Sequence, residues 1–392
     1  MSELVDRFRR YAERVPLQER APVPAAPPPR GLPPGFGPVD GPAGPVPQCS
    51  TRRAFSGGAA LASRWPHRLA GAELGSVEGW RFLDLETTGL GAGAGNRAFL
   101  VGVGALGNDG LTVRQYLLGD LDQEEALLAC VLGEFAGATA VVTFNGKAFD
   151  WPLLRDRCLL AGVGRLQALP HWDVLHAARR LFRAEFAGCD LRRLEADLLG
   201  SPRGPDVQGA EIPALYGAWL DGDGSALDRV AAHHLEDICA LVGVAGVVAA
   251  ALEGGARPGW PAARLWGLGR SYEALGETDL ALAAYLAARR SGLRAAGTAA
   301  ARLLKRVGRR EEALAIWEAE RRGPVPSLEA AVEVAKDLEH RQRAPQAALR
   351  VVQEAVPLAA AVGSDRQDAL RHRLERLQRK VASAGGEAGE GE

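Results

Sequence analysis

Lysine is nearly absent. Lys147, Lys305, Lys336 and Lys380 are its only occurrences among 47 basic residues, so arginine carries almost all the positive charge. With abundant Ala and Gly, this reads as a coding bias and points to no function. Net charge is also missing: 47 basic and 48 acidic residues leave −1 at pH 7. A global attraction to nucleic acid is therefore excluded, and any such contact must come from local basic patches. The five cysteines, Cys49, Cys130, Cys158, Cys189 and Cys239, lie far apart with no CxxC pair. Neither a zinc ribbon nor a disulfide framework fits that spacing. Residues 1–15 are charged throughout and lack the apolar core of a signal peptide. The longest apolar run, 238–252, falls short of the roughly 18–20 residues that span a bilayer. A reducing, cytoplasmic protein with no membrane partner is expected.

What is present divides the 392 residues into parts. Residues 1–54 read as an N-terminal segment and linker, because 21–48 are dense in Pro, Gly and Ala and cannot build a core. A short amphipathic helix is expected within 1–20. Residues 55–255 read as α/β. Strands are expected at 81–86, 98–106, 112–118 and 140–144, and helices at 122–135, 148–160, 173–182, 191–199, 212–220 and 227–252. Asp122 is the expected cap of the first helix. Over 260–381 the strands stop. Gly276-Glu277-Thr278-Asp279-Leu280-Ala281-Leu282 recurs 32 residues later as Gly308-Arg309-Arg310-Glu311-Glu312-Ala313-Leu314. Apolar i, i+3, i+4 spacing between small turn residues fits stacked helix pairs of tetratricopeptide type, or an ordinary helical bundle. The Gly/Glu-rich tail 382–392 reads as disordered.

The chemistry sits in three acidic clusters. In Leu83-Asp84-Leu85-Glu86-Thr87-Thr88-Gly89-Leu90, two carboxylates stand two residues apart inside an apolar run. On a strand they share a face. A divalent cation would explain them, since Mg²⁺ and Mn²⁺ prefer carboxylate oxygens; a half-exposed edge strand with two solvated acids is the alternative. Asp150 follows the turn Asn145-Gly146 and a buried strand. It could cap a helix or point back over the sheet. In His233-His234-Leu235-Glu236-Asp237, His233 and Asp237 lie one helical turn apart. Together these offer four carboxylates and an imidazole, enough charge for two divalent ions.

These segments resemble the three motifs of the DEDD exonuclease superfamily, within the ribonuclease-H-like fold. Phe144-Asn145-Gly146-Lys147-Ala148-Phe149-Asp150 matches the second motif and His233 to Asp237 the third. Gly91-Ala92-Gly93-Ala94-Gly95 and Trp172-Asp173-Val174-Leu175 are further similar to the bacterial YprB-like group, whose exonuclease-like members often carry C-terminal tetratricopeptide repeats. The resemblance implies a mixed sheet with flanking helices, then an all-α repeat region. It implies 3′→5′ exonuclease activity with two Mg²⁺ or Mn²⁺ ions held by Asp84, Glu86, Asp150 and Asp237. Catalytic roles fall to His233 and Glu86, and Asp173 is a possible additional ligand. One departure is visible: three residues separate His233 from Asp237, the spacing of the tyrosine-type members. Thr87, Asn145, Arg179 and Arg180 are candidate contacts to a single-stranded 3′ end, DNA or RNA. Two other readings stay open. One is a nucleic-acid-binding module without catalysis, the other a scaffold that binds protein partners through its repeats.

Overall fold

In the computed structural model, residues 31–89, 95–204, 206–361, 363 and 367–386 are described. The expected helix within 1–20 lies outside them, as do most of the Gly91–Gly95 stretch and residues 387–392.

A seven-stranded sheet organises the first half. Its strands are β1 (Gly37–Gly41), β2 (Gly44–Arg53), β3 (Trp80–Thr87), β4 (Ala98–Gly107), β5 (Gly110–Leu117), β6 (Ala140–Thr143) and β7 (His171–Asp173), in the spatial order β1-β2-β5-β4-β3-β6-β7. β1 to β4 pair antiparallel along that order, as do β4 and β3, whereas β3–β6 and β6–β7 are parallel. The helices are α1 (Gly58–Leu61), α2 (Arg64–Ala70), α3 (Glu124–Glu134), α4 (Asp150–Leu160), α5 (Val174–Phe182), α6 (Leu191–Leu194), α7 (Ile212–Leu220) and α8 (Asp228–Gly254). Then come α9 (Ala262–Ala274), α10 (Thr278–Arg290), α11 (Arg294–Arg306), α12 (Arg310–Arg322), α13 (Leu328–His340), α14 (Pro345–Ala361) and α15 (Gln367–Gly386). This is the mixed sheet with flanking helices, followed by a helical region, that the resemblance implies.

Alternation along β3 places the site. Leu83 and Leu85 pack with α3, α4 and α7 residues such as Val131, Leu154 and Trp219 in one core. Trp80 and Phe82 pack on the opposite face against Ile238 and Val242 of α8. Asp84 and Glu86 continue the Trp80/Phe82 face, so the acids point toward α8. α8 is long and apolar enough to cross a membrane on length and composition. Here its Val230, Ile238, Leu241, Val244 and Val248 are buried inside the protein.

Several expectations are corrected. The proline-rich stretch is not linker from residue 37 onward. β1 and β2 form a hairpin, and Gln48 to Arg53 pair with β5. Pro38 stands opposite Pro47 near the sheet's edge, where a strand tolerates the missing N–H. α3 begins later than expected, after a 3₁₀ turn capped by Asp120, whose side chain accepts from the Leu121 N–H at 2.7 Å. His171 to Asp173 form a three-residue strand, and Asp173 then caps α5 at the expected helix start, its side chain accepting from the Leu175 N–H. Residues 195–199 form a π-helical turn that extends α6. The tail is helical as far as Gly386.

Candidate metal centre

Asp84 and Glu86 leave β3 where it ends, and a register shift between Glu86 and Thr87 loosens the pairing with β4 there. Opposite Asp84 on β4 is Gly102. A Cβ at Gly102 would stand 2.1 Å from Ile238 Cδ1 and 2.6 Å from His234 Cε1, so only glycine lets α8 sit this close to the sheet. Asp237 arrives on α8. Asp150 is the first residue of α4, after a loop in which Asn145 adopts φ 68°. A Cβ on Gly146 would fall 2.4 Å from Asp150 Oδ2, so glycine makes room for that carboxylate.

The fold thus brings Asp84, Glu86, Asp150 and Asp237 to one place, and their protonation records the proximity. Asp84 is pushed well above the carboxylate range, first by burial and then by Asp237, Asp150 and Glu86. Glu86 rises to about 8, mainly through burial, with Asp237 and Asp150 adding to it and His233 opposing. Asp150 rises to about 7 through burial and the nearby Asp173. Asp237 goes the other way: burial opposes it, but His233 and Arg203 hold it low. Three acids that stay protonated alone would ionise around a cation.

His233 Nε2 lies 3.1 Å from Asp237 Oδ2 and 3.9 Å from Glu86 Oε1. Glu86, His233 and Asp237 each offer a ligand atom within 4.8 Å of the others. Burial works against a charge on His233, yet Asp237 and Asp206 raise it to about 9. The donor set of four carboxylates, crowded and mostly proton-bound, fits a hard divalent cation.

Three residues at the centre carry no sequence signal. Asp206 receives His233 Nδ1 at 2.9 Å from each carboxylate oxygen. Arg203 donates through Nε to Glu195 at 2.6 Å and pairs through Nη2 with Asp237 at 2.7 Å. They come from the π turn and from an aperiodic loop whose place beside α8 appears only in three dimensions. His234, the other imidazole, is fully buried. Gln115 donates its amide to Nδ1 at 3.1 Å, so Nε2–H donates to the Asp84 carbonyl at 3.1 Å. Burial lowers His234 to about 4, leaving it neutral.

The remaining candidates have other contacts. Asp173 spends its oxygens on backbone N–H groups of Asn145 (2.9 Å), Lys147 (3.2 Å) and Leu175 (3.1 Å). It braces the loop before Asp150 and stands close enough to that carboxylate to raise it. Thr87 donates its hydroxyl to the Gly89 carbonyl at 2.7 Å. Asn145 is exposed. Arg179 is exposed near Cys189. Arg180 lines a cavity of about 520 Å³ with Trp266, Arg270, Arg302 and Arg306, on the helical region.

Residues 81–248, which carry all four carboxylates, match the sequence profile of the RNase_H superfamily. Over 311 residues the chain is 32% identical to the uncharacterized protein YprB of Bacillus subtilis (strain 168), covering 77% of this chain and 75% of YprB.

Proposed function

This chain belongs to the RNase H superfamily, whose members are generally nucleases, and from that premise we propose that it is a 3′→5′ exonuclease dependent on divalent cations. The observation that carries the reading is the convergence of Asp84, Glu86, Asp150 and Asp237 at the end of β3, three of them pushed toward protonation. The 3′ polarity rests on the likeness of the three motifs to DEDD exonucleases. The four carboxylates would hold two Mg²⁺ or Mn²⁺ ions. When bound, such ions stabilise charge on the attacking and leaving oxygens of an in-line phosphodiester displacement. His233 supplies the base: its Nε2 faces the Glu86 and Asp237 carboxylates and takes the proton of the attacking water. Cationic charge in the cluster lowers His233 from its raised value toward the neutral form that this role needs. Asp237 is kept ionised by Arg203 and His233.

We read the helical region as stacked tetratricopeptide-type pairs, supported by helix starts at Ala262 and Arg294 and at Thr278 and Arg310. Such a region would present a surface to a protein partner. The unpaired thiols of all five cysteines suit a reducing, cytoplasmic setting.

The test is release of label from 3′-labelled single-stranded DNA and RNA with Mg²⁺ or Mn²⁺. Wild type should release mononucleotides and Asp84→Ala should not. Equal, slow release by both would sink the reading.

A further inference from the structure

A catalytic imidazole has two nitrogens, and a base works only if the right one is free. On α8 alone, nothing fixes which nitrogen of His233 faces the carboxylates. Asp206 removes that freedom. Its two oxygens lie 2.9 Å from Nδ1, and an ionised carboxylate can only accept, so Nδ1 carries the hydrogen. Nε2 is then the nitrogen turned to Asp237 and Glu86.

Asp206 is itself held. The Val207 N–H donates to Oδ1 at 2.8 Å, Arg203 stands 3.4 Å and Arg192 3.6 Å from Oδ2. Both side chains of the pair are nine-tenths buried, 9% exposed for Asp206 and 8% for His233. Burial would raise the Asp206 carboxyl, but His233, the Val207 N–H and Arg203 hold it below the ordinary range, so it remains an acceptor. A merely structural acid would not need both oxygens on one ring nitrogen and a guanidinium shared with Asp237. Arg203 ties the pair to the cluster, reaching Glu195, Asp206 and Asp237 together.

We propose that Asp206 is the positioning residue of His233: it accepts the Nδ1–H and holds the ring so that Nε2 is the nitrogen that faces the Glu86 and Asp237 carboxylates. This rests on the nuclease reading for its purpose but not for its geometry. A cavity of about 320 Å³ lined by Arg203, Asp206 and His233 opens beside the pair. It is large enough to admit a small carboxylate in place of a deleted one.

The experiment uses the full chain labelled with ¹⁵N-histidine, with the His233 ring nitrogens followed by NMR in Mg²⁺ at mildly alkaline pH. Wild type should show hydrogen on Nδ1. Asp206→Ala should lose that preference, and added formate should return it. In parallel, Asp206→Ala should lower kcat at least about 100-fold with KM and Mn²⁺ affinity little changed, and formate should restore part of kcat saturably. An Nδ1 without hydrogen in wild type overturns the proposal whatever the activity. So does a drop in kcat that formate leaves untouched while Mn²⁺ affinity and melting temperature fall with it. An inactive wild type with the expected Nδ1–H form would instead fell the nuclease reading and leave the positioning role standing.

Discussion

Two neighbouring histidines on one helix are driven to different charge states, one cationic and one neutral, by what faces them. His233 meets the Asp237 and Asp206 carboxylates and is raised to about 9; His234 meets an amide and a carbonyl and falls to about 4. Replacing His234 with Ala leaves the Gln115 amide and the Asp84 carbonyl short of a partner and opens a void against Gly102. The expected loss is about 2–4 kcal/mol in chemical denaturation. A loss under about 1 kcal/mol would contradict the neutral-staple role. The cluster also sets a pH dependence. Glu86 and Asp150 hold protons in the folded, cation-free protein up to about pH 8 and 7, whereas the unfolded chain releases them near the ordinary carboxylate values. The folded state therefore binds more protons across that window, and stability must fall as pH rises through it. His233, raised to about 9, acts in the same direction from its ordinary value upward. His234 and His171, both lowered to about 4, act in the opposite direction below their ordinary value of 6.5, so melting temperature measured in chelator should fall from there to about pH 9, and Mg²⁺ should remove the fall; a flat profile over that range would refute the cluster's charge state. Of this centre, the sequence showed the pair Asp84 and Glu86, because i and i+2 on a strand share a face, and His233 with Asp237, because a helical turn aligns them. Arg203 and Asp206 reach His233 across about thirty residues of chain, from a loop without periodicity.

At the scale of elements, each part of the centre depends on a glycine or a cap that lets two pieces of backbone approach. Gly146→Ala should push the Asp150 carboxylate out of place, since the new methyl would sit 2.4 Å from Oδ2. Mn²⁺ titration should show affinity weakened about tenfold or more, with the far-UV spectrum unchanged. Unchanged affinity would remove Asp150 from the ligand set. The strongly patterned elements were readable in advance. α7 occupies the expected residues, and β3 to β6 lie within a residue or two of the expected strands. What escaped was short or chemically disguised. β7 has three residues, too few for a pattern. β1 and β2 carry Pro38, Pro45 and Pro47, and proline density signals linker unless one knows that an edge needs fewer donors.

The whole molecule is built around a core that does not stop at the end of α8. Phe82 and Trp172, Leu181 and Leu252, Leu268, Tyr285 and Trp317 belong to one continuous apolar cluster. α9 lies so close to α5 that a Cβ on Gly267 would stand 1.9 Å from the Leu181 carbonyl oxygen. Arg264 grips Glu185 with two hydrogen bonds, at 2.8 and 2.7 Å, across the same junction. Gly267→Val should cost about 1–3 kcal/mol and make the helical region easier to cleave off by limited proteolysis. Removing residues 257–392 should uncover Phe182 and Leu252 and give a fragment that binds hydrophobic dyes and aggregates. A monomeric fragment that melts at the parent temperature would show the two halves to be independent. Because Gly267 has to meet a bare carbonyl, ancestry has little freedom to shuffle these halves. A recombination event that joined this nuclease-like half to foreign helices would set an ordinary side chain against Leu181, so the two should descend through lineages together, as a single heritable unit.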